Sequence, residues 1–261
     1  MAGMTGTGFE LICEIEPSPR PDLKHVRHQI GVLSRVADAF LVPDNHRGQA
    51  TVSSVAVAHE VEAMGGRTIA CLNSRDRNLL GFRRDLLTAA AYGVGQFLFV
   101  AGDKPAAGGR TSDLTVRSMV DEVRALPADP AFAGTAPFRV GVATGLRPLP
   151  AWKQAADFVF VQISYSVDAL LRWRDAVRLD VPVYAGVMVL ASAAMAARIA
   201  ATLPDIEIPL DLVERVGRDR MAGVAAACDQ IAAIRETGAF DGVHLVPVAR
   251  YREVAARLET R

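Results

Sequence analysis

Cysteine is scarce in this chain. The three present, Cys13, Cys71 and Cys228, are odd in number and far apart, with no CxxC spacing. That excludes a disulfide framework and a cysteine-rich metal site, and it suits a reducing compartment. Long apolar runs are missing too: the Ala-rich ASAAMAARIAATL is broken by Arg198 and falls short of the ~20 residues of a spanning helix. Net charge is absent, with 29 basic residues against 29 acidic. Nothing in that balance points to nucleic acid or to an anionic membrane. The opening MAGMTGTGFE lacks the basic segment and apolar run of a signal peptide, so the expectation is a cytoplasmic protein.

Several chemical motifs are also missing. There is no P-loop, HExxH or GxSxG. The glycines of GVGQFLFVAG precede an apolar run instead of linking a strand to a helix, so this is no dinucleotide fingerprint. His25 and His28 share a helical face without a third ligand, and no metal is expected.

What is present is a globular balance, 51% hydrophobic and 22% charged over 261 residues, with a strong alternation of element types. Apolar runs at 11–15, 39–43, 67–72, 96–102, 138–143, 158–163, 182–188 and 242–248 read as strands. Periodic stretches at 25–37, 52–64, 79–92, 114–126, 167–178, 219–236 and 250–259 read as amphipathic helices. The fifth connection, TGLRPLPAWKQAA, has room for only a short helix. Eight strands each followed by a helical segment predict a single α/β domain, a (β/α)8 TIM barrel over 1–261. A doubly wound open sheet is the alternative.

In such a barrel the site forms at the carboxyl ends of the strands, and polar residues collect there. Glu14 and Glu16 share one face at the end of the first strand, opposite Cys13 and Ile15. Asp44 and Asn45 follow the second strand, Asn73, Arg75 and Asp76 the third, Asp103 and Lys104 the fourth. Thr144 follows the fifth, and Gln162, Ser164 and Tyr165 close the sixth. Caps and turns would explain several of these, and NSRDRN reads equally as a solvated loop. Gln162 interrupts an apolar run, and a buried amide there needs partners that a ligand could supply. His244 lies early in the eighth strand, where a core or bottom-face histidine is the expectation. GDKPAAGGR reads as a surface turn in preference to an anion-binding loop.

The order of these pieces resembles the methylenetetrahydrofolate reductase family. The likeness runs from CEIEPSP through NSRDRNLLGFRRDLLTAAAYGVGQFLFVAGDKP to ADFVFVQISYS, PVYAGVMVL, IEIP and GVHLVPV. It implies a (β/α)8 catalytic barrel and the NAD(P)H-driven reduction of 5,10-methylenetetrahydrofolate to 5-methyltetrahydrofolate, a one-carbon step serving methionine biosynthesis. It implies Glu14 as general acid, with Asp103 and Gln162 holding the pterin. Asn73, Arg75 and Gly102 are the candidate cofactor-binding residues. Glu16 has no counterpart in the family pattern and is either a like charge acting on Glu14 or a solvated rim residue.

Flavin adenine dinucleotide is the family cofactor, and here the departures gather. Pro43 stands for a threonine, Cys71 for a histidine and Ala101 for an arginine, while Lys153 is not cleanly equivalent to a lysine before the sixth strand. These changes imply a site that holds flavin weakly or not at all. The partner implied is a small-molecule folate, with a homo-oligomer or a protein partner left open. A folate-linked methyltransferase and a non-catalytic folate-binding subunit are the alternative functions.

Overall fold

The computed structural model describes residues 8–104 and 106–260. Pro105, within the stretch read as a surface turn, lies outside the described residues, as do the first seven residues of the expected 1–261 domain and Arg261.

Eight parallel strands close into a barrel: β1 (Glu10–Glu14), β2 (Ala39–Val42), β3 (Thr68–Asn73), β4 (Gln96–Val100), β5 (Arg139–Thr144), β6 (Phe158–Ile163), β7 (Val183–Met188) and β8 (Gly242–Val246). Each pairs with the next, and β8 returns to β1 with His244 opposite Ile12. The pleat sorts the side chains into two cores. Cys13, Phe40, Leu72, Val140 and Val187 point outward into the layer under the helices. Ile12, Leu41, Cys71, Leu98, Phe160 and Tyr184 fill the barrel interior. Full burial of a Leu- or Phe-sized side chain contributes about 1.5–3 kcal/mol, so both layers favour this register over a one-residue slip.

The outer ring comprises α1 (Lys24–Leu33), α2 (Ser54–Ala63), α3 (Leu79–Ala91), α4 (Val116–Ala125), α5 (Val167–Ala176), α6 (Ala193–Thr202), α7 (Leu210–Arg218), α8 (Ala222–Thr237) and α9 (Tyr251–Glu259). Side-chain caps mark several starts: Asn78 accepts from Gly81 N, Ser166 from Ala169 N and Ser192 from Met195 N. The fifth connection carries only a 3₁₀ turn, Ala151–Ala155, as its prolines predict. The seventh is richer than expected, with α6 and α7 ahead of α8. Neither is among the periodic stretches of the sequence: α6 has six alanines in ten residues and little contrast between its faces, and α7, though strongly amphipathic, spans only 9 residues. Packing reveals them: Leu212 and Val216 of α7 meet Ala196 and Ile199 of α6 in a separate cluster. Among the described residues, no helix is long and apolar enough to cross a membrane.

The amino-terminal end of the barrel is plugged. Tyr184 Oη donates to Glu10 at 2.6 Å, and Arg67 Nη2 donates to the other Glu10 oxygen at 2.8 Å. Burial first, and then the bond to Glu10, push the Tyr184 phenol well up, so it remains a donor. The opposite end carries the polar residues.

Candidate active site

Glu14 ends β1 and faces inward, since its neighbour Cys13 is packed under the helices and Ile12 lines the interior. Its carboxyl is 12% exposed, and Oε2 lies 3.2 Å from Nε2 of His244, itself 12% exposed. The N–H···O alignment of a hydrogen bond is lacking, so Nε2 is a buried nitrogen with its nearest acceptor within reach but not engaged. The imidazole packs edge-on against Phe160, with ring centroids 5.3 Å apart. This corrects the bottom-face expectation for His244. Its place early in β8 is offset by the parallel register, which sets it beside Ile12, one inward step below Glu14. Cys71 lines the same interior. Burial, then the charges of Glu14 and Asp44, hold its thiol well above the ordinary range, so it is a neutral packing group.

Glu16 stands on the rim, 45% exposed, with Arg47 Nη2 at 3.4 Å. Its backbone is pinned by the buried Gln29 of α1, whose Oε1 accepts from Glu16 N and whose Nε2 donates to Glu16 O, both at 3.2 Å. The reciprocal pair anchors the proline-rich turn after β1.

NSRDRN is partly a buried network and only partly a solvated loop. Asp44 Oδ2 accepts from Asn73 N at 2.8 Å, from Asn73 Nδ2 at 2.7 Å and from Arg77 Nη1. Arg77 Nε donates to Asp85 at 3.0 Å. Burial would depress the Arg77 guanidinium, but the Asp44 and Asp85 carboxylates outweigh it and leave its pKa raised. Asn73 also donates to Asp76, which spends its amide hydrogens on the loops. Arg75 differs: its Nη1 is buried without a hydrogen-bond partner. Gly102 follows β4 with φ +86°, and a Cβ there would come within 2.9 Å of Asn73 Cβ. Glycine is required on both counts. The turn delivers Asp103, which is exposed and accepts from Arg47 N at 2.8 Å. Asp103 and Asn73 are thus both joined to the β2 loop.

Gln162 is exposed, which corrects the expectation of a buried amide. The β6–β7 register shifts between Val161 and Ile163, so the bulge breaks the inward alternation at Gln162, and its Oε1 accepts from Ile163 N at 3.0 Å. Gly186 on β7 permits the bulge, because a Cβ would lie 2.6 Å from Val161 O. Beside this edge a cavity of about 140 Å³ opens between Tyr165, Met188, Arg215 and Gln230. Tyr165 Oη is buried there without a partner, and burial pushes its phenol up to about 12.

The positions aligned with flavin contacts do not suit that group. Pro43 is buried and offers no donor, Cys71 is turned into the interior, and Ala101 presents a methyl group to solvent. Lys153 Nζ donates to Ala143 O at 2.5 Å, and burial lowers its pKa. Among the described residues, no group of three or more histidine, cysteine or carboxylate side chains could hold a metal.

Fold and site together define a (β/α)8-barrel protein whose mouth carries a carboxyl–imidazole pair. The family model for methylenetetrahydrofolate reductase matches residues 150–260, from the turn before β6 through α9. No curated protein sequence matches it. Among solved structures, one similar protein is from Clostridium thermocellum and is described as binding two copies of 5-methyl-5,6,7,8-tetrahydrofolic acid. It is 13% identical with a TM-score of 0.65, over 97% of this chain and 94% of that one. The EDTA monooxygenase of Chelativorans sp. BNC1 is 12% identical with a TM-score of 0.53, over 97% and 94%. Tryptophan synthase from M. tuberculosis is 15% identical with a TM-score of 0.53, over 97% and 92%. These likenesses are of fold.

Proposed function

We propose that this chain reduces 5,10-methylenetetrahydrofolate to 5-methyltetrahydrofolate, with NAD(P)H as the ultimate hydride donor. The observation that carries this reading is the Glu14 carboxyl, inward-facing and largely buried at the mouth of a barrel whose residues 150–260 match this family's model, with an imidazole 3.2 Å away. Opening the five-membered ring of the substrate requires a proton on the bridging nitrogen. A carboxylic acid placed at the mouth supplies it as a general acid. The resulting iminium carbon accepts hydride and becomes the methyl group.

Asp103 serves the pterin as an acceptor for ring N–H groups; one oxygen is engaged by Arg47 N and the carboxylate retains a second. Gln162 reaches the same ligand once its amide leaves the neighbouring backbone. The hydride passes directly from the nicotinamide or from a carrier other than the family's flavin, given Pro43, Cys71 and Ala101. The reaction belongs in the cytoplasm, where reduced folates and nicotinamides meet.

Glu14→Gln keeps the shape and removes the acid. We expect it to lower folate-dependent turnover by about 10²–10⁴-fold with little change in folate affinity. Undiminished turnover would remove Glu14 from the mechanism. The folate reported for the Clostridium thermocellum protein favours a second reading, folate binding without turnover. Stabilisation by 5-methyltetrahydrofolate in a chain inert with every hydride donor would select it.

A further inference from the structure

His244 is unexplained by packing alone. It is the one polar side chain of β8 that faces the interior, flanked in the sheet by Ile12 on β1 and by Gly186 on β7. Phe160 of β6 covers one side of its ring. The titratable groups of this interior are Glu14 from β1, Cys71 from β3 and, toward the plugged end, Tyr184 from β7 bonded to Glu10; Cys71 stays a neutral thiol and Tyr184 a neutral phenol. Nε2 is buried, lacks an aligned acceptor, and lies 3.2 Å from Glu14 Oε2. A small side-chain rotation completes that hydrogen bond, and such bonds commonly tighten only when substrate is bound.

We propose that His244 is the positioning residue that recharges the acid, returning a proton from its Nε2 to the Glu14 carboxylate after each turnover. The inference rests on the reductase reading given above. In the first step the Glu14 O–H bond breaks, the bridging nitrogen of the folate gains the proton, and its bond to the methylene carbon breaks. Hydride from the reduced nicotinamide then forms the new C–H bond and leaves oxidised nicotinamide. The His244 Nε2–H bond breaks as the Glu14 O–H bond re-forms. The neutral imidazole takes its next proton from water at the mouth. The sum consumes one methylene-folate, one reduced nicotinamide and one solvent proton, and gives one methyl-folate and one oxidised nicotinamide.

The test compares His244→Gln, whose amide can hold the carboxyl but cannot carry its proton, with His244→Ala. Turnover of methylenetetrahydrofolate is measured with and without added imidazole. Both variants are expected to lower kcat by roughly 10- to 100-fold with the folate KM nearly constant. Imidazole should restore part of the His244→Ala rate and none of the Glu14→Gln rate. A wild-type kcat in His244→Gln would reduce the histidine to a packing and hydrogen-bonding role and overturn the inference, leaving the reductase reading intact. Loss of rate in His244→Ala that imidazole never restores would also overturn it. A wild-type chain inert with every nicotinamide would overturn the reductase reading and this inference with it. His244→Gln is close in size to the native residue, so it remains decisive if His244→Ala fails to fold.

Discussion

Single residues at the mouth divide by what holds them. Glu14 and His244 have no aligned partners, which leaves Glu14 free to engage a substrate and His244 free to engage Glu14, whereas Asn73 has spent its amide hydrogens on the scaffold and Lys153 gives one hydrogen to Ala143 O. Glu16 belongs with the rim. Its pairing with Arg47 at 3.4 Å joins two side chains that are 45% and 68% exposed, a pair worth about 0–1 kcal/mol after screening. We therefore expect Glu16→Gln to leave both the melting temperature and the pH profile of turnover unchanged. A displaced pH profile would make Glu16 a charge that acts on Glu14.

At the scale of elements, the loops after β2, β3 and β4 behave as one unit. Asp44 ties the end of β2 to Asn73 and Arg77 beyond β3, Gly102 packs on Asn73, and Asp103 reaches back to Arg47. Asp44 and Arg77 are 5% and 13% exposed, so removing one partner strands a buried charge. Asp44→Ala is expected to cost about 3–5 kcal/mol in denaturant unfolding, and folate affinity should fall as Asp103 loses its support. A loss under about 1 kcal/mol would show that the three loops are independently held.

For the whole molecule, closure decides where chemistry can occur. The Tyr184–Glu10–Arg67 plug seals the amino-terminal end, and the polar groups face the other. The barrel is a filled core with one working face. Replacement of the aligned flavin contacts by Pro43, Cys71 and Ala101 predicts a colourless purified protein. Its visible absorbance should lack flavin bands even after incubation with flavin adenine dinucleotide and desalting. A yellow protein with stoichiometric flavin would show that backbone groups suffice to hold the cofactor.

Most of the fold was legible in the residues, because strand and helix patterns are local. The eight apolar runs fall on β1 to β8, and the doubled carboxylates of LICEIEPSP announced a strand end opening to solvent. α6 and α7 lie outside those periodic stretches, α6 because alanine gives its faces little contrast and α7, though strongly amphipathic, because it is only 9 residues long. The site was legible only in part. Gln162 looked buried by its neighbours' hydrophobicity, but the bulge turned it out. NSRDRN looked solvated by its charge, but Asp44, distant in sequence, buried Arg77.

The sequence by itself determined the alternation of elements, the inward face of β1 and the family motifs, for these depend on residues a few positions apart. Only the tertiary structure decided that His244 faces Glu14. Their contact depends on β8 closing against β1, a pairing across nearly the whole chain that local periodicity does not encode.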